Sequence, residues 1–72
     1  MLSLDLIGLN CPLPVLKTKK FLANLPIDTV VQVTTTDPAS KVDLQIFCEK
    51  TGHKLINQSV NNGTITTVIC KQ

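Results

Sequence analysis

The 72-residue chain carries a formal net charge of +2, is 43% hydrophobic, and contains two aromatic residues, Phe21 and Phe47. That length accommodates one domain, 1–72, near the lower size at which a single core suffices without staples, and leaves no room for a second site. A charge this small, with no Trp or Tyr for base stacking, argues against direct nucleic-acid binding, and no apolar run approaches the roughly 20 residues of a membrane-spanning helix.

Leu2, Leu4 and Leu6 alternate with Ser3 and Asp5, the period of a half-buried strand, and Gly8 ends that run. The segment from Pro12 to Leu25 predicts a helix with Val15, Thr18, Leu22 and Leu25 on one face and Pro26 beyond its end. Proline suits a first helical turn, where its missing N–H has no partner to lose, so Pro12 reads as the first helical residue and Cys11 as the N-cap. Thr29–Thr35, rich in β-branched residues, predicts a second strand. Asp37-Pro38 repeats the cap-plus-proline pattern and predicts a second helix that reaches about Thr51 and stops at Gly52. Lys54–Val60 and Thr64–Cys70 flank Asn61-Asn62-Gly63, the turn signal of a hairpin.

One set of strand positions is apolar: Leu4 and Leu6, Val31 and Val33, Ile56 and Val60, Ile65 and Ile69. Ser3, Asp5, Gln32, Thr34, Gln58, Thr64 and Thr66 are assigned to the wet side. A sheet dry on one side requires both helices on that side. Crossover connections make the first two strands parallel, and the hairpin makes the sheet mixed. The expected fold is α+β, a βαβαββ two-layer sandwich of a four-stranded mixed sheet with two helices on one face.

Three cysteines, an odd number with no Cys-x-x-Cys spacing, point away from a disulfide framework and from a bound metal. The first residues lack a basic leader and an apolar core, and a reducing cytoplasm is the expected setting. Cys48 shares a helical stripe with Leu44 and Phe47 and reads as packing. Cys70 shares the parity of Thr64 and Thr66 and reads as a wet-face thiol, with a resolving role toward Cys11 as the alternative. Cys11, at a helix N-terminus, is the well-placed sulfur: unpaired N–H groups and the macrodipole favour its thiolate, with Leu13 N–H as its local donor because Pro14 has none. His53, after Gly52, reads as a helix-end residue before it reads as a base, and Asp5 and Asp37 read as edge solubility and helix initiation. On the first helix, Leu13, Leu16, Lys17 and Lys20 fall away from the core face, beside Cys11, and outline a partner footprint. Val42 and Ile46 lie off the core stripe of the second helix in the same way.

The run Leu4-Asp5-Leu6-Ile7-Gly8-Leu9-Asn10-Cys11-Pro12-Leu13-Pro14 resembles the signature of the TusA-like, or SirA-like, sulfur-carrier family. Asp37-Pro38, Asp43, Phe47-Cys48 and Gly52-His53 resemble that family's second block, so the likeness spans nearly the whole chain. Position 13 is Leu, where the best-known members carry an acidic residue. The resemblance implies a βαβαββ fold whose motif cysteine, Cys11, carries sulfur covalently as a persulfide without a separate cofactor, supported by Gly8, Pro12, Leu13 and Pro14. It also implies a sulfur-donor protein such as a cysteine desulfurase or a rhodanese, and a protein acceptor thiol. The competing expectation is a regulatory or scaffold module that binds a protein through the outer face of the first helix, with Cys11 as a helix cap only.

Overall fold

The structure, a computed structural model, describes all residues from Met1 to Gln72. Its elements follow the predicted order: β1 (Leu2–Leu6), α1 (Leu13–Ala23), β2 (Val30–Thr35), α2 (Ser40–Thr51), β3 (Lys54–Asn61) and β4 (Thr64–Cys70). The strands form one sheet in the order β1-β2-β4-β3. β1 runs parallel to β2, while β4 runs antiparallel to both β2 and β3. The expected mixed sheet is present.

Register explains the core. Leu4 stands opposite Val33 and Leu6 opposite Thr35, while Val31, Val33 and Thr35 stand opposite Ile69, Thr67 and Ile65. These positions share one face of the pleat, and from Val31 to Thr35 and from Ile65 to Ile69 each is buried. Leu22 of α1 and Leu44, Phe47 and Cys48 of α2 close over them. Four hydroxyls are buried with their hydrogen bonds satisfied inside this layer. Thr18 donates to the Pro14 carbonyl at 2.7 Å, Thr35 and Ser40 share a 2.6 Å bond, and Thr67 accepts from Gln58 at 3.1 Å.

The last strand pair departs from simple alternation. β3 carries a register shift between Leu55 and Asn57: Leu55 pairs with Ile69 and Asn57 with Val68, so Ile56 is the extra residue of a bulge. Ile56 and Val60, expected in the core, are 49% and 54% exposed. Gln58, expected on the wet side, instead faces α2, where its amide donates to the Lys41 carbonyl at 2.9 Å and accepts from Gln45 at 2.7 Å. The bulge resets the parity, and β3 lies at the sheet edge beyond the full cover of the helices. The hairpin closes through Asn62 and Gly63, both at positive φ, in the two-residue turn that matches strand twist.

Element ends also shift. α1 stops at Ala23 and not at Leu25, and the Lys71 ammonium donates to the carbonyls of Leu22 and Leu25 at 2.8 and 2.9 Å. A cation on the last carbonyls complements the negative end of the helix. α2 ends as predicted at Gly52, left-handed with φ 84°. No helix is long and apolar enough to cross a membrane.

Candidate functional site

Because β1 and β2 are parallel and each is followed by a helix, α1 and α2 begin at the same end of the sheet, past Leu6 and Thr35. Cys11 leads into α1 and Asp37 into α2, so the two cap-plus-proline pairs of the sequence become neighbours. Two hydrogen bonds lace the loops together. Gly8 N–H donates to Thr36 Oγ1 at 2.9 Å, and Cys11 N–H donates to Asp37 Oδ2 at 2.6 Å. Gly8 sits at φ 86°, a conformation that favours glycine. Asp37 also accepts from Ala39 N–H at 3.2 Å through Oδ1. The Asp37 carbonyl accepts from the buried Ser40 hydroxyl at 2.6 Å. The N-cap of α2 is Ala39 and not Asp37, which stands before it in the preceding turn; there one aspartate braces the turn and fixes the backbone of Cys11.

The start of α1 differs from the prediction. Pro12 is the N-cap, with φ −97°, and Leu13 is the first helical residue. The Cys11–Pro12 peptide is cis. Leu13 N–H is taken by the Asn10 carbonyl at 2.9 Å, in a turn that precedes the helix, so it is not the donor to sulfur that the spacing suggested. Cys11 lies one residue further out, exposed. Pro14 is buried, and its ring is part of the packing of the helix start.

The electrostatic expectation is reversed. The Cys11 thiol is held above its ordinary value, first by a side-chain hydrogen bond to Asp43, then by slight desolvation and by the negative charges of Asp43 and Asp37. A carboxylate accepting the S–H hydrogen favours the neutral sulfur, and this outweighs the positive helix end. Asp43 lies in the first turn of α2. In the sequence it stands out only as part of a family block, because nothing in its spacing from Cys11 signals proximity.

The other two thiols have different surroundings. Cys48 is buried, and desolvation pushes it up to about 11, so it is inert packing as expected. Cys70 stands opposite Val30, at the far end of β2 from Thr35. That separation is about 17 Å at about 3.3 Å per residue, beyond disulfide reach of Cys11, so the resolving role is excluded in this fold. His53 lies at that far end too, where its Nδ1 accepts from Gln72 N–H at 3.0 Å and its ring packs on Phe47. Burial, and then Lys71, hold its pKa below the ordinary histidine value. It serves the end of the fold and not Cys11.

An open groove of about 480 Å³ runs between α1 and α2, lined by Cys11, Pro12, Leu16, Asp43, Ile46 and Lys50 among others. Leu13, Leu16, Val42 and Ile46 are 42%, 53%, 55% and 45% exposed, all outside the core as the periodicity implied. Lys17 and Lys20 are exposed as well, but they line a second groove between α1 and β1 with Leu4 and Phe21. The predicted footprint is thus the crest of α1 between two grooves, and Lys19 and Lys50 are the lysines that share a groove with the thiol. No group of three or more His, Cys, Asp or Glu side chains is placed to hold a metal ion.

The profile of the family described as Sulfurtransferase TusA matches residues 2–71. The chain belongs to that family. A relative from Neisseria meningitidis is 42% identical over 67 residues, covering 93% of this chain and 90% of its own length. The sulfur carrier protein TusA of Allochromatium vinosum is 40% identical over 69 residues, covering 96% and 91%. Among solved structures, the SirA-like protein of Desulfitobacterium hafniense superposes with a TM-score of 0.84 at 34% identity, covering 97% of this chain and 96% of that one. The two-layer βαβαββ fold derived from strand parity is therefore that of a SirA-like protein.

Asp37 is the test of how this site is held. Asp37→Ala removes the acceptors for both Cys11 and Ala39 N–H, and is expected to lower stability by about 1–3 kcal/mol in urea unfolding. Amide hydrogen exchange at Cys11 should accelerate, and Asp37→Asn, which keeps an oxygen acceptor, should lose less.

Proposed function

We propose that this member of the TusA family is a sulfur carrier that accepts sulfane sulfur as a persulfide on Cys11 and passes it to an acceptor protein. The observation that carries the reading is the placement of the chain's one exposed thiol where both helices begin, in the open groove that Leu16 and Ile46 line. The names of the relatives, sulfur carrier protein TusA, support it.

The chemistry needs little machinery. The Cys11 sulfur, as thiolate, attacks the outer sulfur of a donor persulfide, R–S–SH; the donor S–S bond breaks, and Cys11–S–SH forms. The donor leaves as R–S⁻ and takes up the proton that Cys11 gave, so neither oxidant nor reductant enters. In delivery an acceptor thiolate attacks the terminal sulfur and expels the Cys11 thiolate, which is reprotonated. A donor such as a cysteine desulfurase or a rhodanese, and an acceptor thiol on a protein, are the partner classes that fit, and three unpaired cysteines suit a reducing, cytoplasmic setting. Leu13 and Leu16 with Ile46 form the apolar centre of the docking face, and Lys17 and Lys20 flank it as steering charges.

A second reading has Cys11 as a structural residue of a protein-binding module, and the carboxylates that hold its thiol above the ordinary value favour it. Intact-mass and peptide mapping after incubation with a desulfurase and cysteine separates the two. One added sulfur atom on Cys11 is expected, lost in Cys11→Ser and retained when Cys48 and Cys70 are replaced. A wild-type chain that gains no sulfur, or gains it equally in Cys11→Ser, contradicts the carrier reading.

Docking is tested by Leu16→Ser. Truncating an apolar side chain at an interface centre costs more than about 1–2 kcal/mol, or about tenfold in transfer from a protein donor. Alkylation of Cys11 by a small reagent should be unchanged, and unchanged transfer from the protein donor would remove Leu16 from the interface.

A further inference from the structure

The two edges of the sheet are not alike. β3 carries Lys54 and a bulge at Ile56, devices that discourage a further strand, whereas β1 keeps an unbroken register with β2 from Leu2 to Leu6. The N–H and C=O groups of a strand point to alternate sides, so one parity of β1 is spent on β2 and the other faces outward. Outside that ladder the backbone of β1 makes one bond, from Leu9 N–H to the Leu6 carbonyl, and the outer row stays open to pairing. The one charge of the strand, Asp5, lies on the opposite face from Leu4 and Leu6, and its carboxylate accepts from Ile7 N–H at 3.0 Å.

Beside this edge lies the second groove, of about 440 Å³, between α1 and β1. Leu4, Leu6, Phe21 and Leu25 give it apolar walls, the exposed Lys17 and Lys20 stand over it, and no acidic residue is among its lining. Because Leu4 and Leu6 point to the helix side of β1, the space next to them is where the inward side chains of a fifth strand would sit, about 4.8 Å beyond β1. Lys17 and Lys20 rise about 4.5 Å from one to the other along α1, close to the roughly 6.6 Å between alternate residues of a strand.

We propose that β1 and this groove take up an acidic, extended segment of a partner protein, which joins the sheet as a fifth strand. Its helix-side residues would include carboxylates for Lys17 and Lys20 and an apolar side chain against Phe21 and Leu25. Backbone pairing supplies affinity in such an addition, and the groove selects the side chains. Charge decides between occupants. A second copy paired through β1 about a two-fold axis would bring the Lys17 and Lys20 of both protomers together, and like charges oppose that arrangement. The site goes beyond the carrier reading and does not depend on it. It lies across the crest of α1 from the groove of Cys11, so a segment held there leaves the thiol open.

The probe is a nonapeptide with blocked ends, Thr-Leu-Thr-Glu-Thr-Glu-Thr-Leu-Thr, which reads the same in both directions and sets two carboxylates between two leucines on one face. Its binding to the whole chain is followed by NMR shifts and amide hydrogen exchange. A dissociation constant below about 1 mM is expected, with the outward amides of Leu2–Leu6 exchanging about tenfold more slowly at about nine-tenths occupancy. The same peptide with Lys in place of Glu should bind about tenfold more weakly, and the double variant Lys17→Glu, Lys20→Glu should reverse that order. Iodoacetamide alkylation of Cys11 should keep its rate in the complex. No binding at about 1 mM, equal binding of the two peptides, or binding without slowed exchange in β1 overturns the proposal. So does slowed alkylation of Cys11, which would put the peptide in the thiol groove, and so does protection of the β1 edge by self-association without peptide. Sulfur loading of Cys11 is read separately, so either reading can fail alone.

Discussion

Asp37 accepts a 2.6 Å hydrogen bond from the Cys11 backbone while its second oxygen accepts from Ala39 at 3.2 Å, and the geometry of the site follows from that shared carboxylate. Parallel strands bring the starts of α1 and α2 to one end of the sheet, but only a connection between the loops sets the thiol against the second helix. Asp37 supplies that connection, helped by the bond from Gly8 to Thr36 and anchored from below by Ser40. Ser40 is fully buried and bonded to Thr35, so the β2–α2 loop is tied to the core layer at the point where it holds Cys11. A reactive group on a small domain is thereby given fixed coordinates without a disulfide or a metal.

The same carboxylate cluster sets the electrostatics. A helix N-terminus alone favours an anionic sulfur, and the position of Cys11 before α1 invites that inference. Asp43 of α2 and Asp37 of the loop before it oppose that field, and they hold the thiol above its ordinary value. A resting thiol is compatible with sulfur transfer, because a more basic thiolate is the stronger nucleophile once it is released.

Much of this was legible in the chain. Alternation in Leu2–Leu6 and Val31–Val33, β-branched runs, and Asn62-Gly63 in a hairpin turn determine a sheet with one dry face, and helical spacing puts Leu22, Leu44 and Cys48 over it. What was not legible depended on contacts distant in sequence. The bulge at Ile56 has no marker in its own strand, so Val60 and Gln58 were assigned by an alternation that the edge strand does not keep. Asp37 reads as a helix-start residue, although the N-cap of α2 is Ala39, and Asp43 enters only through the family block. The parallel crossover is itself derivable, and it brings the two equivalent loops to one end of the sheet, where Asp37 stands beside Cys11. The distance of Cys70 and His53 from Cys11 follows from the same strand directions.

On the proposed function, sulfur enters and leaves this protein through Cys11. A round trip of isotopically labelled sulfur tests it most directly: the carrier is loaded from a desulfurase with labelled cysteine, freed of donor, and mixed in a single turnover with a protein acceptor thiol. Label is expected on Cys11 after loading, then quantitatively on the acceptor as Cys11 returns to the thiol, with none carried by Cys11→Ser. Label that stays on Cys11 in the presence of the acceptor, or that reaches the acceptor through Cys11→Ser, would contradict it.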